Sequence, residues 1–147
     1  RIGVALGMPF PAGPHLEKLA ATCQGDIPYL RTGVKGYNFS FSGPETAARR
    51  LLAEGKTPAQ VARAVEHCVA TTLEKVLRSA VQDTGLKEIL IVGGVAANSY
   101  IRQRLIYRLE HPAVRAKLFF ADPAYSTDNA VGVAQIGLLM HQELKII

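Results

Sequence analysis

The feature that most constrains this chain is the stretch 89–104, which reads ILIVGGVAANSYIRQR. Apolar, mostly β-branched residues precede Gly93 and Gly94, and a helical spacing of apolar residues opens near Asn98. This order predicts a buried strand, a glycine turn and a helix. Glycines let the backbone approach a ligand closely, and the unpaired N–H groups at a helix start attract phosphate-like groups. A turn that binds nothing has the same pattern, so the stretch alone leaves both interpretations open.

Strand and helix patterns alternate along the chain. Strands are predicted at 38–42, 89–92 and 117–121, and helices at 14–24, 45–55, 57–85, 98–110 and from about 128 to 142. Segments 5–14 and 122–129 are predicted as loops, and 25–36 interrupts the helical pattern. Four small residues of the last helix predict close packing on the sheet: Ala130, Gly132, Ala134 and Gly137. The alternation predicts an α/β fold with its functional crevice at the carboxyl ends of the strands.

Length and composition indicate one ordinary globular domain. The 147 residues are enough for a single α/β domain spanning 1–147, and 48% apolar with 20% charged residues gives no indication of disorder. With two isolated cysteines and no apolar run near the ~20 residues of a membrane helix, a cytoplasmic protein without membrane contact is expected. The residues from Arg1 onward show no secretory leader pattern, and the missing initiator Met suggests a fragment.

The net charge of +5 fits either a polyanionic partner or a solvated surface. The basic residues are dispersed instead of forming one block, which favours the solvated surface. They include Arg49, Arg50, Lys56, Arg63, Arg102, Arg104, Arg108 and Arg115.

Residues that could carry chemistry are sparse. The histidines show no metal-ligand spacing, and HExxH, CxxC, GxGxxG, Walker and serine-elbow patterns are all missing from the sequence. Asp128 is the best candidate for a hard metal ligand, although a helix N-cap explains an aspartate there more simply. Cys68 falls on the apolar stripe of the 57–85 helix, which predicts an inert core position.

Four segments, in order, closely resemble the C-terminal half of the TsaD family, formerly called the glycoprotease or O-sialoglycoprotein endopeptidase family. They are LGMPFPAGPHLEKLA, FSFSGPETA, ILIVGGVAANSYIRQRL and STDNAVGVA. The resemblance implies the C-terminal part of a two-domain, actin-like and Hsp70-like ATPase-type (ASKHA) fold. It also implies transfer of threonylcarbamoyl from threonylcarbamoyl-adenylate to N6 of adenosine 37, in tRNAs that read codons beginning with A.

The resemblance implies ligand contacts at three residues, and the glycine turn formed by Gly93 and Gly94 is expected to line the same pocket. Gly13 and Glu17 match positions that touch the nucleoside of an adenylate or ATP-type nucleotide. Asn98 matches another contact, beside the turn formed by Gly93 and Gly94. The implied partners are tRNA, threonylcarbamoyl-adenylate and other subunits of a tRNA-modification complex such as KEOPS.

The resemblance assigns Asp128 to one divalent catalytic metal ion, iron or zinc, which would assist the transfer. The family's histidine ligands lie upstream of the position matching Arg1, so the metal site would be incomplete here. A single protein carboxylate holds a catalytic ion poorly. The chain by itself is therefore expected to be inactive, as part of a transferase.

The chain departs from the family pattern at several positions. Ala12 replaces a glycine, Pro44 and Glu45 replace a Leu-Lys pair, and the segment after TDN is altered. Glu45 reverses a charge near the expected cleft, which puts phosphate or tRNA contacts there in doubt. These departures support a second hypothesis, a divergent inactive paralogue that acts as a nucleotide-binding or scaffold module.

Overall fold

The computed structural model describes residues 1–122 and 130–144, in which helices and short strands alternate. The helices are α1 (Ile2–Ala5), α2 (Ala12–Ala21), α3 (Ser42–Ala53), α4 (Pro58–Thr84), α5 (Ser99–Leu109) and α6 (Ala130–Leu144), with a 3-10 helix at Gly94–Ala97. The strands are β1 (Gly33–Lys35), β2 (Asn38–Ser40), β3 (Glu88–Ile91) and β4 (Lys117–Phe120).

Helix α4 begins and ends where the sequence predicts. The Thr57 hydroxyl accepts a hydrogen bond from Gln60 N at 3.2 Å, and the Gln60 side chain accepts one from Thr57 N at 3.1 Å. This reciprocal pair satisfies two backbone donors at the helix start. At the other end Gly85 takes a left-handed φ of 71°, which glycine adopts without strain. The predicted helix 57–85 is therefore confirmed.

The strands form two separate pairs. β1 and β2 make an antiparallel hairpin, whereas β3 and β4 are parallel, with Leu90 opposite Phe119. Helix α5 connects the parallel strands, since parallel neighbours need a crossover instead of a tight turn. This strand–helix–strand unit confirms the predicted α/β class.

Helix α4 carries an apolar cluster on each half. Its first half packs with residues from α1, α3 and the segment before β1, and its second half packs with α5 and the inner face of β3 and β4. The first cluster contains Ile2, Leu30, Ala48, Val61, Ala64 and Cys68. The second contains Ala70, Val81, Ile101, Leu105, Leu109 and Ala116. Cys68 therefore lies in the core, as predicted.

The prediction of a fully buried strand at 89–92 is wrong. Ile89 and Ile91 pack on the second cluster, but Leu90 is 68% exposed. Within the described part of the chain, helices cover only one face of the β3–β4 pair, so alternate side chains point outward. The hairpin strand β2 is exposed along its whole length instead of half-buried.

The predicted close packing of the last helix is also wrong for the described side chains. Side chains 133–142 of α6 are exposed, including Ala134. A Cβ added to Gly137 would meet no atom within 4 Å. Small residues permit close approach, but they supply no apolar area of their own to drive it.

Regular structure occurs both in the predicted loop 5–14 and in the segment 25–36, where the sequence predicts a break in the helical pattern. Helix α2 begins at Ala12, inside the segment 5–14, and β1 lies within 25–36. Helix α3 begins at Ser42, before the predicted start, and its first turn accommodates Pro44 because N–H groups there have no intrahelical acceptor. Across the described residues, no helix combines the length and apolar character needed to cross a membrane.

Candidate nucleotide site

The glycine turn after β3 leads into a 3-10 helix before α5 begins. Gly93 has φ 98° and ψ 162°, a conformation that is strained for any residue with a side chain. Asn98 then caps α5, because its side-chain oxygen accepts a hydrogen bond from Ile101 N at 2.9 Å. Gly93 is thus required by the backbone, and it is not among the residues that line the cavity beside the turn.

Side chains of the protein already accept hydrogen bonds from backbone N–H groups at the start of α5. Glu17 of α2 accepts hydrogen bonds from Ser99 N at 2.8 Å and from the Ser99 hydroxyl. Asn98 takes the N–H of Ile101. A carboxylate therefore lies at the partial positive charge of the helix, where the sequence suggested a phosphate-like ligand.

A cavity of about 580 Å³ lies between the start of α2, the first half of α4 and the 3-10 turn. It brings together four residues singled out from the sequence: Gly13, Glu17, Gly94 and Asn98. A Cβ added to Gly13 or Gly94 would meet no protein atom within 4 Å. The two glycines therefore leave open space in the cavity. Its volume is in the range of small-molecule sites.

The walls of this cavity are otherwise mostly apolar. They include Pro11, Pro14, Leu16, Val65, Val69, Val95, Ala97 and Ile101. Apolar walls with a few convergent polar groups are typical of sites that bind a flat, partly apolar ligand.

Glu66 of α4 also lines the cavity, although the motifs of the sequence did not single it out. Its side chain is 4% exposed, and the carboxylate accepts hydrogen bonds from Asn98 Nδ2 at 2.6 Å and from an Arg63 nitrogen at 2.8 Å. Burial raises the pKa of the Glu66 carboxyl above its ordinary value. The Asn98 bond and the Arg63 charge act in the opposite direction, and the neighbouring charge of Glu17 adds to the rise. Glu66 thus holds the Asn98 amide in place.

A pattern in α4 could have revealed Glu66. Ala62, Glu66, Ala70 and Glu74 recur at a spacing of four and are all buried, although they lie outside the stripe of large apolar residues. Both glutamates of this row meet polar side chains of α5 or its cap. The alternation of alanine and glutamate every four residues thus marks a second buried face of α4.

From Glu66, a row of contacting polar side chains extends along the interface between α4 and α5. The Arg63 guanidinium lies 4.4 Å from the centre of the Tyr100 ring, and the Tyr100 hydroxyl is 2.7 Å from His67 Nδ1. Burial lowers the pKa of His67, and the nearby Arg104 charge lowers it further, against the opposite effect of Glu74. These side-chain contacts hold the N-terminal cap of α5 against α4.

Asp128 lies outside the described residues, so its position relative to Asn98 and its assignment to a metal stay predictions. Within 1–122 and 130–144, no three His, Cys, Asp or Glu side chains come close enough together to hold a metal ion.

Glu45 does not line this cavity. It forms ion pairs with Arg1 at 2.9 Å and with Arg49 at 3.1 Å, and these hydrogen bonds lower the pKa of its carboxyl. It borders a smaller, mainly apolar cavity of about 300 Å³, lined also by Gly13 and Cys68. The charge reversal is thus compensated by two arginines of this chain.

Comparison with known proteins identifies the same family as the four sequence segments do. Residues 1–135 match the family model for TsaD, described as tRNA N6-adenosine threonylcarbamoyltransferase. The chain is 36% identical over 138 residues to a probable bifunctional tRNA threonylcarbamoyladenosine biosynthesis protein of Thermoplasma acidophilum, covering 92% of the chain and 25% of that relative. It is 33% identical over 145 residues to a tRNA N6-adenosine threonylcarbamoyltransferase of Thermus thermophilus, covering 97% of the chain and 43% of that relative.

The chain therefore spans less than half the length of these relatives. Among solved structures, the crystal structure of T. kodakarensis HypF aligns with a TM-score of 0.64 at 20% identity, over 74% of this chain and 14% of that one. At this identity the likeness concerns the fold alone.

Proposed function

Because this chain belongs to the TsaD family and has its actin-like, ASKHA-type α/β fold, we propose that it forms half of the adenylate pocket of a tRNA threonylcarbamoyltransferase. The observation that carries the proposal is the cavity in which Gly13, Glu17, Gly94 and Asn98 converge from two distant segments. In this proposal the cavity holds the nucleoside of threonylcarbamoyl-adenylate, and tRNA is the acceptor.

The chemistry of the lining favours a nucleoside over a phosphate. Two carboxylates, Glu17 and Glu66, border the cavity, and they repel an anion while accepting hydrogen bonds from ribose hydroxyls. One Glu17 oxygen is taken by Ser99, which leaves the other to accept such a bond. The apolar walls suit a purine ring.

Asn98 retains capacity for a ligand. Its amide nitrogen donates one hydrogen to Glu66, and its oxygen accepts one bond from Ile101 N. An amide has two N–H donors and two lone pairs, so one of each remains. Because Glu66 and the α5 cap fix its rotamer, Asn98 would present these groups to the ligand at little entropic cost.

In the proposed reaction, the N6 amine of the tRNA adenosine attacks the carbamoyl carbon of the adenylate. A C–N bond forms, the bond from that carbon to the phosphate oxygen breaks, AMP leaves and the amine loses a proton. The cavity residues bind and orient the AMP portion, which lowers the entropic part of the barrier. A metal at Asp128, partner subunits and a cytoplasmic location belong to the same proposal.

The test fills the cavity with side chains added at its two glycines. Gly94→Val and Gly13→Val would each place a side chain into open cavity space, in the protein as its gene encodes it. We expect each variant to bind adenosine and AMP about 10- to 100-fold more weakly, since overpacking costs ~1–3 kcal/mol. Isothermal titration measures the affinities, and transfer to tRNA should fall in parallel.

The matched control is Gly43→Val, because an added Cβ there also meets no atom within 4 Å but Gly43 does not line the cavity. Unchanged affinity in both cavity variants, with folding verified by circular dichroism, would refute the pocket. Wild-type nucleotide binding without any transfer would favour the scaffold module over the enzyme.

A further inference from the structure

Three arginines gather around one buried carboxylate at the far ends of α4 and α5. Glu74 accepts hydrogen bonds from Arg104 at 2.9 Å and from Arg108 Nε at 2.8 Å, and Arg78 approaches it at 3.4 Å. The Glu74 side chain is only 8% exposed. Three positive charges thus face one negative charge, and two remain uncompensated within the cluster.

Two of these arginines border a groove of about 230 Å³, which we call the arginine groove. It is lined by Arg78, Tyr107, Arg108, His111, Ala113 and Val114. Within the part of the chain that the structure describes, no acidic side chain lines it. The nearby Glu110 carboxylate is engaged elsewhere, because it accepts a hydrogen bond from Leu118 N at 3.0 Å.

The two arginines of the groove have N–H donors that no described residue accepts. Arg108 uses only Nε on Glu74, so among the described residues both of its terminal nitrogens have no hydrogen-bond acceptor. Arg78 makes a single long contact through one terminal nitrogen. Beside them Tyr107 is 73% exposed. Guanidinium groups next to an exposed aromatic ring are suited to a phosphate followed by a stacked base.

We propose that the arginine groove binds the backbone of RNA, with a phosphate between Arg78 and Arg108 and a base against Tyr107. The proposal rests on the proposed function, because tRNA is the RNA it concerns. Holding three guanidinium groups together is electrostatically costly, and a phosphate would relieve the excess charge. Arg104 and Arg108 also hold Glu74, which fixes the groove before the RNA arrives.

The groove lies at a distance from the cavity that one RNA could span. From Val65, which lines the cavity, to Arg78 the helix rises by ~20 Å at 1.5 Å per residue. From Asn98 to Arg108 along α5 the rise is ~15 Å. A few nucleotides span this length, so the groove would bind the RNA backbone a few nucleotides away from the adenosine that is modified.

The test measures tRNA affinity against salt concentration for Arg78→Ala and for Tyr107→Ala, in the protein as its gene encodes it. Arg78→Ala should reduce the slope of log affinity against log salt by about 1, the effect of one lost phosphate contact. Tyr107→Ala should weaken binding about tenfold through lost stacking, and Tyr107→Phe should restore it. Arg78 is chosen because its contact with Glu74 is the longest of the three.

The control for charge is Arg50→Ala on α3, which removes an exposed arginine paired with Glu54. Equal effects of Arg78→Ala and Arg50→Ala would overturn the proposal, since only overall charge would then matter. Adenosine affinity should be unchanged in Arg78→Ala. If Arg78→Ala leaves the salt slope unchanged while adenosine binding is intact, the groove alone is refuted. If Arg78→Ala reduces the slope but Gly94→Val binds adenosine as the wild type does, the pocket alone is refuted.

Discussion

Glu66 carries its negative charge almost without solvent, so its partners decide what that charge costs. Arg63 and the Asn98 amide satisfy both carboxylate oxygens, yet burial still raises the pKa of the group. Removing Arg63 would leave this charge uncompensated, whereas removing Asn98 would leave one buried carboxylate oxygen without a donor. The site thus depends on a residue that contributes to ligand binding chiefly by positioning another.

The raised pKa of Glu66 predicts a pH dependence of stability. In the unfolded chain the carboxyl loses its proton at its ordinary pKa, whereas in the folded protein it keeps the proton to higher pH. The folded state therefore binds more protons in this window, and its stability falls as pH rises through it. Relative to Glu66→Gln, the wild type should lose unfolding free energy as pH increases from the ordinary carboxyl pKa toward neutrality.

Urea unfolding of both proteins at a series of pH values checks this expectation. The amide that replaces the carboxyl in Glu66→Gln keeps an oxygen that accepts from Asn98, so the comparison isolates the titrating proton. A stability difference that stays constant or grows in favour of the wild type with rising pH would contradict it.

At the scale of elements, α4 sets the position of almost everything else. Its ends are defined by local chemistry, the Thr57–Gln60 pair and Gly85, and its two halves carry the two apolar clusters. Because the cavity meets its first half and the arginine groove its second, a shift at either end of α4 would affect both surfaces.

Two glycine substitutions should have opposite signs. Gly85→Ala places a side chain at φ 71° and should cost ~1–2 kcal/mol, because that conformation crowds Cβ against the following carbonyl. Gly137→Ala in α6 should stabilise by about 0.5–1 kcal/mol, because the added Cβ meets open space and alanine favours the helix interior. Thermal or urea unfolding measures both changes, and equal effects of the two substitutions would refute this assignment of the α4 end.

At the scale of the whole molecule, apolar surface is left exposed on the outer face of β3 and β4. Leu90 and Phe119 are direct neighbours across the strands and are 68% and 41% exposed, with Val92 beside them at 62%. Exposed apolar neighbours of this kind favour association, and the 147-residue chain should self-associate through them.

Leu90→Lys should shift the 147-residue chain toward monomer in sedimentation velocity. Leu86→Lys is the matched control, since Leu86 is 71% exposed but lies in the loop before β3. If both changes reduce association equally, net charge rather than the sheet face is responsible.

Local signals determined much of the fold. The cap residues, the helical apolar spacing and the β-branched runs located α4, α5, β3 and β4, because each of these signals acts within a few residues. The same signals failed for burial: Leu90 and Ala134 are apolar or small but exposed, since burial depends on which elements lie opposite. The resemblance singled out Gly13, Glu17 and Asn98, and the glycine turn added Gly93 and Gly94; all of these except Gly93 line one cavity.

Only the tertiary structure decided how these residues are joined. It placed Glu17 on the start of α5, where a phosphate had been expected, and it buried Glu66 behind Asn98. It also gathered three dispersed arginines around Glu74. Most of these contacts join residues that are distant in the chain. The physical reason that the sequence did not foretell them is that a side chain's charge, exposure and free donors depend on partners brought together by packing.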